Sequence, residues 1–371
     1  MNDLERKRVL VMAGGTGGHV FPALAVAEDL RARGCDVSWL GTRQGIESEQ
    51  VPAHNFPITY ISVAGLRGKG GLAKIRGVAR LILAAGQALR AVYKLKPDVV
   101  LGLGGFASGP GGVAARLLGK PLVIHEQNAI AGTTNRLLSK IASVALTAFP
   151  EALPGARHCG NPVRTEILKL SVELNQRSLE EGSLEESPLD ENAASPRLLV
   201  LGGSLGAQKL NQTLPEALAL MAESQRPEVR HQCGRGNEET TKNMYQQAGV
   251  DADVVPFVAD MAAAYAWADF VVCRAGALTV SELTAVGLPS ILVPFPYAID
   301  DHQTHNALWL VNAGAGYLLD EKDLSPETLV TTVLELTTNT DKRAEMAESA
   351  RRLALPDATR RVADVCLEVA A

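Results

Sequence analysis

The sequence predicts an α/β protein made of two parallel-sheet units. Three observations carry that expectation. Short apolar runs at 9–13, 198–201 and 270–273 each lead into a glycine turn and a helix-like stretch, the opening of a nucleotide-type α/β unit. The run from Arg197 to Ala207 echoes residues 9–18, so the unit occurs twice. A length of 371 residues suits two domains at roughly 100–200 residues each.

Val9 to Ala13 reads as a strand buried on both faces, followed by Gly14-Gly15-Thr16-Gly17-Gly18-His19 and a helix from Pro22 to Arg33. The dinucleotide fingerprint fails because Val20 stands where its third glycine belongs, and no Gly-Lys-Ser/Thr follows for a P-loop. The glycines still let a ligand approach the backbone closely, and His19 could point into that gap. Val37 to Gly41 and Ile58 to Ile61 read as further strands. Between Leu66 and Lys96 stand Arg67, Lys69, Lys74, Arg76, Arg80, Arg90, Lys94 and Lys96 without one acidic residue. Apolar positions recur there at three- and four-residue steps, which predicts a basic amphipathic helix or helix pair. Two readings stay open: a packed helix with a solvated basic face, or a face that rests on anionic phospholipid. Few aromatic residues are interleaved, which disfavours nucleic acid.

Asp98 to Leu103 and Pro121 to Ile124 are predicted strands. They run into a second glycine cluster, Gly104 to Gly112, and into His125-Glu126-Gln127-Asn128. In an open parallel sheet both loops fall on the carboxyl edge, where ligands bind. Gly160-Asn161-Pro162-Val163-Arg164 reads as the exit from the first domain, and the acidic stretch 171–196 as a flexible surface insertion. Asp251-Ala252-Asp253 has a D-x-D spacing but an ordinary loop context, so no metal site is assigned to it.

Phe270 to Asn306 reads as strand, glycine turn, helix, strand and polar loop. A helix entered through Gly276 and Thr279 offers unpaired N–H groups and a positive dipole end to an anion. Glu282, one turn further in, suits the hydroxyls of a sugar or ribose. Pro326 to Ala371 is predicted as mainly charged helix.

The net charge of −5 hides a division. Residues 1–165 hold 20 basic and 10 acidic side chains, and residues 166–371 hold 16 and 31, so the halves carry +10 and −15 and suit different partners. Cys35, Cys159, Cys233, Cys273 and Cys366 are odd in number and show no C-x-x-C spacing, a pattern of reduced thiols rather than zinc or disulfides. The first residues read as a strand too short for a signal peptide, and no apolar run is long enough to span a bilayer. No Ser-His-Asp, H-E-x-x-H or Cys-His signature appears.

Residues 14–22 (GGTGGHVFP), 104–106 (GGF), 125–128 (HEQN), 160–164 (GNPVR), 202–204 (GGS) and 277–282 (ALTVSE) together resemble the MurG family of UDP-N-acetylglucosamine transferases. The blocks span almost the whole chain in the family's order. The resemblance implies a GT-B fold, two Rossmann-like domains with parallel sheets facing across a cleft. Residues 1–163 would take the acceptor and associate with membrane, 164–345 would bind the donor, and 346–371 would return as a C-terminal helix to the first domain. It implies an inverting transfer of N-acetylglucosamine to the 4-hydroxyl of the muramoyl sugar of lipid I, forming lipid II for peptidoglycan, with no metal or other cofactor. The implied partners are UDP-N-acetylglucosamine, lipid I and an anionic membrane surface at the cytoplasmic face of the cell membrane. Cell-wall synthesis proteins are further candidates, and nucleic acid is not among the partners.

Carried over residue by residue, Thr16, Gly17, Gly18 and Asn128 would approach the donor sugar and diphosphate, and Arg164 and Ser204 would contact the donor. Val258 stands where the family has an aliphatic residue beside the uracil. Ala277, Leu278, Thr279, Val280, Ser281 and Glu282 would bind uridine and diphosphate, with Glu282 on the ribose. Gly104, Gly105 and Phe106 fall on the acceptor side. Leu205 replaces a family glutamine, and His302-Gln303 correspond to a glutamine pair near the sugar. His19 is the candidate base, with Glu126 or a water as alternatives. A UDP-sugar epimerase or another GT-B transferase would share the donor half, and a two-lobed regulator would bind UDP-sugar without turning it over.

Overall fold

The computed structural model describes residues 6–63, 71–181, 195–203 and 206–370. The chain divides into two units, one of Met1–Arg164 with Leu355–Ala371 and one of Thr165–Ala354.

Among the described residues the first unit holds seven strands: β1 (Arg8–Met12), β2 (Asp36–Gly41), β3 (Ile58–Tyr60), β4 (Val99–Gly102), β5 (Leu122–Glu126), β6 (Val144–Thr147) and β7 (Arg157–His158). They lie in the order β3-β2-β1-β4-β5-β6-β7, each neighbouring pair parallel. Alternation sends the side chains of each strand to two cores. Val9 and Val11 of β1 join Val99 and Leu101 of β4 on one face, and Leu10, Met12 and Val100 join the core on the other. The C-terminal helix Ala358–Val369 buries Val362, Ala363 and Cys366 in the first of these cores, which ties the chain's end to its beginning. The preceding helix, Thr340–Arg352, belongs to the second unit.

The second unit repeats the scheme with β8 (Arg197–Leu201), β9 (Glu228–Gln232), β10 (Asp253–Val255), β11 (Phe270–Cys273), β12 (Ser290–Leu292) and β13 (Gly316–Leu318). Their order is β10-β9-β8-β11-β12-β13, again all parallel. Both sheets therefore reverse their winding beside the first strand, between β1 and β4 and between β8 and β11. A crevice opens at such a switch point, at the carboxyl ends of the strands.

Three expectations change. The first helix starts at Gly17, inside the glycine loop, and carries Pro22 within it. Burial of Val20, Ala23, Leu24 and Ala27 outweighs the local preference of glycine and proline against helix. Strand β5 continues through His125 and Glu126, both buried, where the apolar pattern ends at Ile124. Residues 171–181 continue a helix that begins at Thr165, with Ile167 and Leu170 buried, instead of opening a surface insertion. The remainder of that stretch, 182–194, lies outside the described residues, as do Arg67 and Lys69. The basic segment forms one helix, Gly71–Leu95. Asp253 sits at the start of β10, its carboxylate 3.1 Å from Arg230 Nε, so a guanidinium already serves it.

Candidate functional site

In the first unit the carboxyl ends of three adjacent strands, β1, β4 and β5, bring together most of the residues singled out in that half. Two glycine loops are packed back to back. Gly105 has φ +84°, and a Cβ on it would stand 2.3 Å from the Gly14 carbonyl oxygen. Gly104 has φ +99°, and a Cβ there would press on the His19 ring at 3.1 Å. Conformation favours glycine at both positions, and at Gly105 the lack of space requires it. Ser108 clamps the second loop, its hydroxyl 2.6 Å from the Gly104 carbonyl and 3.0 Å from that of Met12. Thr16 is the N-cap of helix Gly17–Ala32 and is exposed, with no side-chain cap bond and no acidic residue in the first turn. The N–H groups of that turn face an end suited to an anion or to sugar hydroxyls. Phe106 stands exposed beside the loops.

The β5 loop contributes Glu126, Gln127 and Asn128. Glu126 is buried, and its carboxylate accepts from the Asn128 backbone N–H (2.9 Å) and side chain (3.2 Å), Gly132 N–H (3.1 Å) and Asn135 Nδ2 (2.9 Å). A carboxylate saturated in this way organises its own loop, and we set it aside as the alternative base. His19 instead is half-buried, its Nδ1 2.9 Å from Gln127 Oε1. Arg164 closes the first unit, its guanidinium 5.3 Å from the centre of the Phe21 ring.

In the second unit, helix Ala277–Val286 starts at Gly276 and stops at Gly287, which has φ +71°. Its first turn carries no acidic side chain, so the N-terminal N–H groups of 277–279 keep their anion-binding character. Glu282 is buried and accepts from the Tyr265 hydroxyl at 3.0 Å. Asn306 Nδ2 donates to the Ala275 carbonyl at 3.1 Å, joining the loop after β11 to helix His302–Asn312. Gln303 Oε1 accepts from Phe295 N–H at 2.9 Å, and His302 opens that helix after Asp300 and Asp301, both at positive φ. Two consecutive non-glycine residues in that region mark a strained turn beside the candidate site. Val258 follows β10 and is half-buried. Ser204 and Leu205 lie outside the described residues.

Comparison with known proteins decides the family. Residues 9–147 match the glycosyltransferase family 28 N-terminal domain, and residues 197–362 its C-terminal domain. The UDP-N-acetylglucosamine–N-acetylmuramyl-(pentapeptide) pyrophosphoryl-undecaprenol N-acetylglucosamine transferase of Marinobacter nauticus is 51% identical, covering 100% of this chain and 99% of the relative. Its counterpart in Nitrosococcus oceani is 54% identical over 98% of this chain and 99% of the relative. The crystal structure of Acinetobacter baumannii MurG superposes with a TM-score of 0.80 at 41% identity, over 98% of this chain and 99% of that one. The chain belongs to the MurG family. Its two parallel-sheet α/β units are those of a GT-B glycosyltransferase.

Two residues of this MurG-family site escape a reading of motifs. Glu47 is fully buried under the first glycine loop, where its carboxylate accepts from Gly15 N–H (2.9 Å) and from the Thr42 N–H (2.9 Å) and hydroxyl (2.7 Å). A Cβ on Gly14 or Gly45 would collide with that carboxylate, so Glu47 sets the shape of the loop. Gln232 does the same for the second unit. Its amide accepts from Gly203 N–H (3.0 Å) and donates to the carbonyls of Gly203 (3.0 Å) and Pro256 (3.1 Å). The only sequence signal for Glu47 is an acidic residue near glycines 41 and 45.

Proposed function

We propose that the chain transfers N-acetylglucosamine from UDP-N-acetylglucosamine to the 4-hydroxyl of the muramoyl sugar of lipid I, producing lipid II for peptidoglycan. The observation that carries this reading is the likeness to transferases named for that reaction, 51–54% identical over 98–100% of the chain.

The second unit takes the donor. N–H groups at the start of helix Ala277–Val286 meet the diphosphate, Glu282 meets the ribose hydroxyls, and Val258 lies beside the uracil. Ser204, His302 and Gln303 complete the donor contacts, and Thr16, Gly17, Gly18, Asn128 and Arg164 supply those from the first unit. Gly104, Gly105 and Phe106 serve the acceptor. His19 removes the acceptor hydroxyl's proton as its oxygen attacks the anomeric carbon opposite the leaving group. The bond to UDP breaks with its electron pair on the diphosphate oxygen, where the helix dipole and Arg164 stabilise the developing charge.

The first unit also rests on the cytoplasmic face of the cell membrane. Ile82, Leu83, Val113, Leu117 and Leu137 are exposed on helices Gly71–Leu95, Ser108–Leu117 and Thr133–Leu138, which pack beside one another. Exposed Arg116, Arg136 and Lys140 flank these apolar side chains, a mixture suited to anionic headgroups and the acyl boundary. No helix among the described residues is long and apolar enough to cross a membrane.

Transfer of labelled sugar from UDP-N-acetylglucosamine to a short-chain lipid I analogue tests the reading. Labelled disaccharide lipid is the expected product. Donor converted to another UDP-sugar, or left intact beside the acceptor, would overturn it.

A further inference from the structure

A chain of four polar contacts runs from the protein interior to His19. His125 Nε2 lies 2.9 Å from the Gly160 carbonyl oxygen. Gln127 Nε2 lies 3.2 Å from His125 Nδ1 and 3.1 Å from the His125 carbonyl oxygen. Gln127 Oε1 then faces His19 Nδ1 at 2.9 Å. His125 and Gln127 are buried, so each bond needs a donor opposite an acceptor.

Only one assignment of protons satisfies all four contacts. A carbonyl oxygen can only accept, so His125 Nε2 carries a hydrogen. The amide of Gln127 must present its NH2 to the His125 carbonyl, because the flipped amide would set oxygen against oxygen. That NH2 also meets His125 Nδ1, which is therefore the bare nitrogen of a neutral ring. Burial agrees, since it pulls His125 down to about 4. The Gln127 oxygen is left facing His19, so His19 Nδ1 is the donor.

We propose that Gln127 and His125 are positioning residues that fix the proton of His19 on Nδ1 and thereby present the Nε2 lone pair to the acceptor hydroxyl. The proposal deepens the reading of His19 as base and rests on it. Without the relay a neutral imidazole in water carries its proton more often on Nε2, the tautomer that cannot take a proton there. A second-layer group that selects the tautomer of a catalytic histidine governs turnover without touching substrate.

Histidine-selective 15N NMR of the whole protein, at a pH where His19 is neutral, reads the tautomer without relying on activity. His19 is expected as the Nδ1–H form and His125 as the Nε2–H form. Gln127→Met, close in shape but unable to hydrogen-bond, is expected to return His19 toward Nε2–H. The same variant should lower kcat about 10- to 100-fold, with KM for UDP-N-acetylglucosamine unchanged. An Nε2–H form of His19 in the wild-type protein would overturn the proposal, even if the variant fails to fold. So would wild-type kcat in Gln127→Met alongside an inactive His19→Ala. Near-wild-type turnover by His19→Ala would instead remove His19 as base, while the NMR spectrum still reported its tautomer.

Discussion

Gly105 and Gly34 separate conformational strain from steric necessity at the scale of one residue. Both have positive φ, +84° and +88°, but a Cβ on Gly34 meets nothing within 4 Å, whereas one on Gly105 meets the Gly14 backbone at 2.3 Å. Gly34→Ala should cost only the left-handed strain, about 1–2 kcal/mol, and leave turnover intact. Gly105→Ala should lower Tm further and reduce turnover at least tenfold, because the two glycine loops must separate to admit the methyl group. Thermal melts and turnover of the two variants check this, and equal behaviour would show that the loops do not depend on close packing. The glycines were legible in the sequence because the runs at 14–18 and 104–112 are denser in glycine than an ordinary turn requires. Their braces, Glu47 and Gln232, were not, since each lies about thirty residues from the loop it holds and acts only through tertiary contact. The loop-organising role of Glu126 was hidden for the same reason: it depends on donors from Gly132 and Asn135, placed by the fold.

At the scale of elements, the strand–glycine–helix units could be read because both periodicity and punctuation mark them. The boundaries that moved did so for tertiary reasons. β5 runs on through His125 and Glu126 because the Gly160 carbonyl and the following loop satisfy their polar atoms in the interior. The helix from Thr165 persists into an acidic stretch because Ile167 and Leu170 anchor it. The basic stretch 67–96 left a membrane-facing helix as one of two readings, and the exposed Leu117 and Leu137 come from later segments that the fold sets alongside. Leu117 is 73% exposed, and a leucine fully buried on docking contributes about 1.5–3 kcal/mol. Leu117→Glu together with Leu137→Glu should therefore weaken sedimentation with phosphatidylglycerol-containing vesicles at least tenfold, while turnover of a water-soluble acceptor is kept. Unchanged vesicle binding would remove this face as the docking surface.

For the whole molecule, each unit buries one histidine as a neutral ring. Burial lowers His125 to about 4 and His231 to about 3 from an ordinary value of 6.5. His231 Nδ1 faces the Tyr245 hydroxyl at 2.8 Å and its Nε2 faces Asn211 Oδ1 at 3.0 Å. Between the folded and unfolded values the unfolded chain binds the proton and the folded chain does not, so stability rises with pH through that window. It is complete above about 6.5 and falls on acidification, with each histidine worth on the order of 2–3 kcal/mol between pH 7 and pH 4.5. Urea midpoints at the two pH values should show the loss, and His231→Gln should reduce it by about half. A pH dependence identical in the variant would assign the effect to other groups.

The proposed division of labour gives the donor to the second unit and the acceptor's proton to His19 of the first. Steady-state transfer from UDP-N-acetylglucosamine to a lipid I analogue, run on the wild-type protein, His19→Ala and Glu282→Gln side by side, tests it most directly. Labelled disaccharide lipid is expected from the wild type. In His19→Ala kcat should fall about 100-fold or more with unchanged donor KM, and in Glu282→Gln loss of a charged hydrogen bond should raise the donor KM about tenfold. Wild-type kcat in His19→Ala, or an unchanged donor KM in Glu282→Gln, would contradict that division of labour.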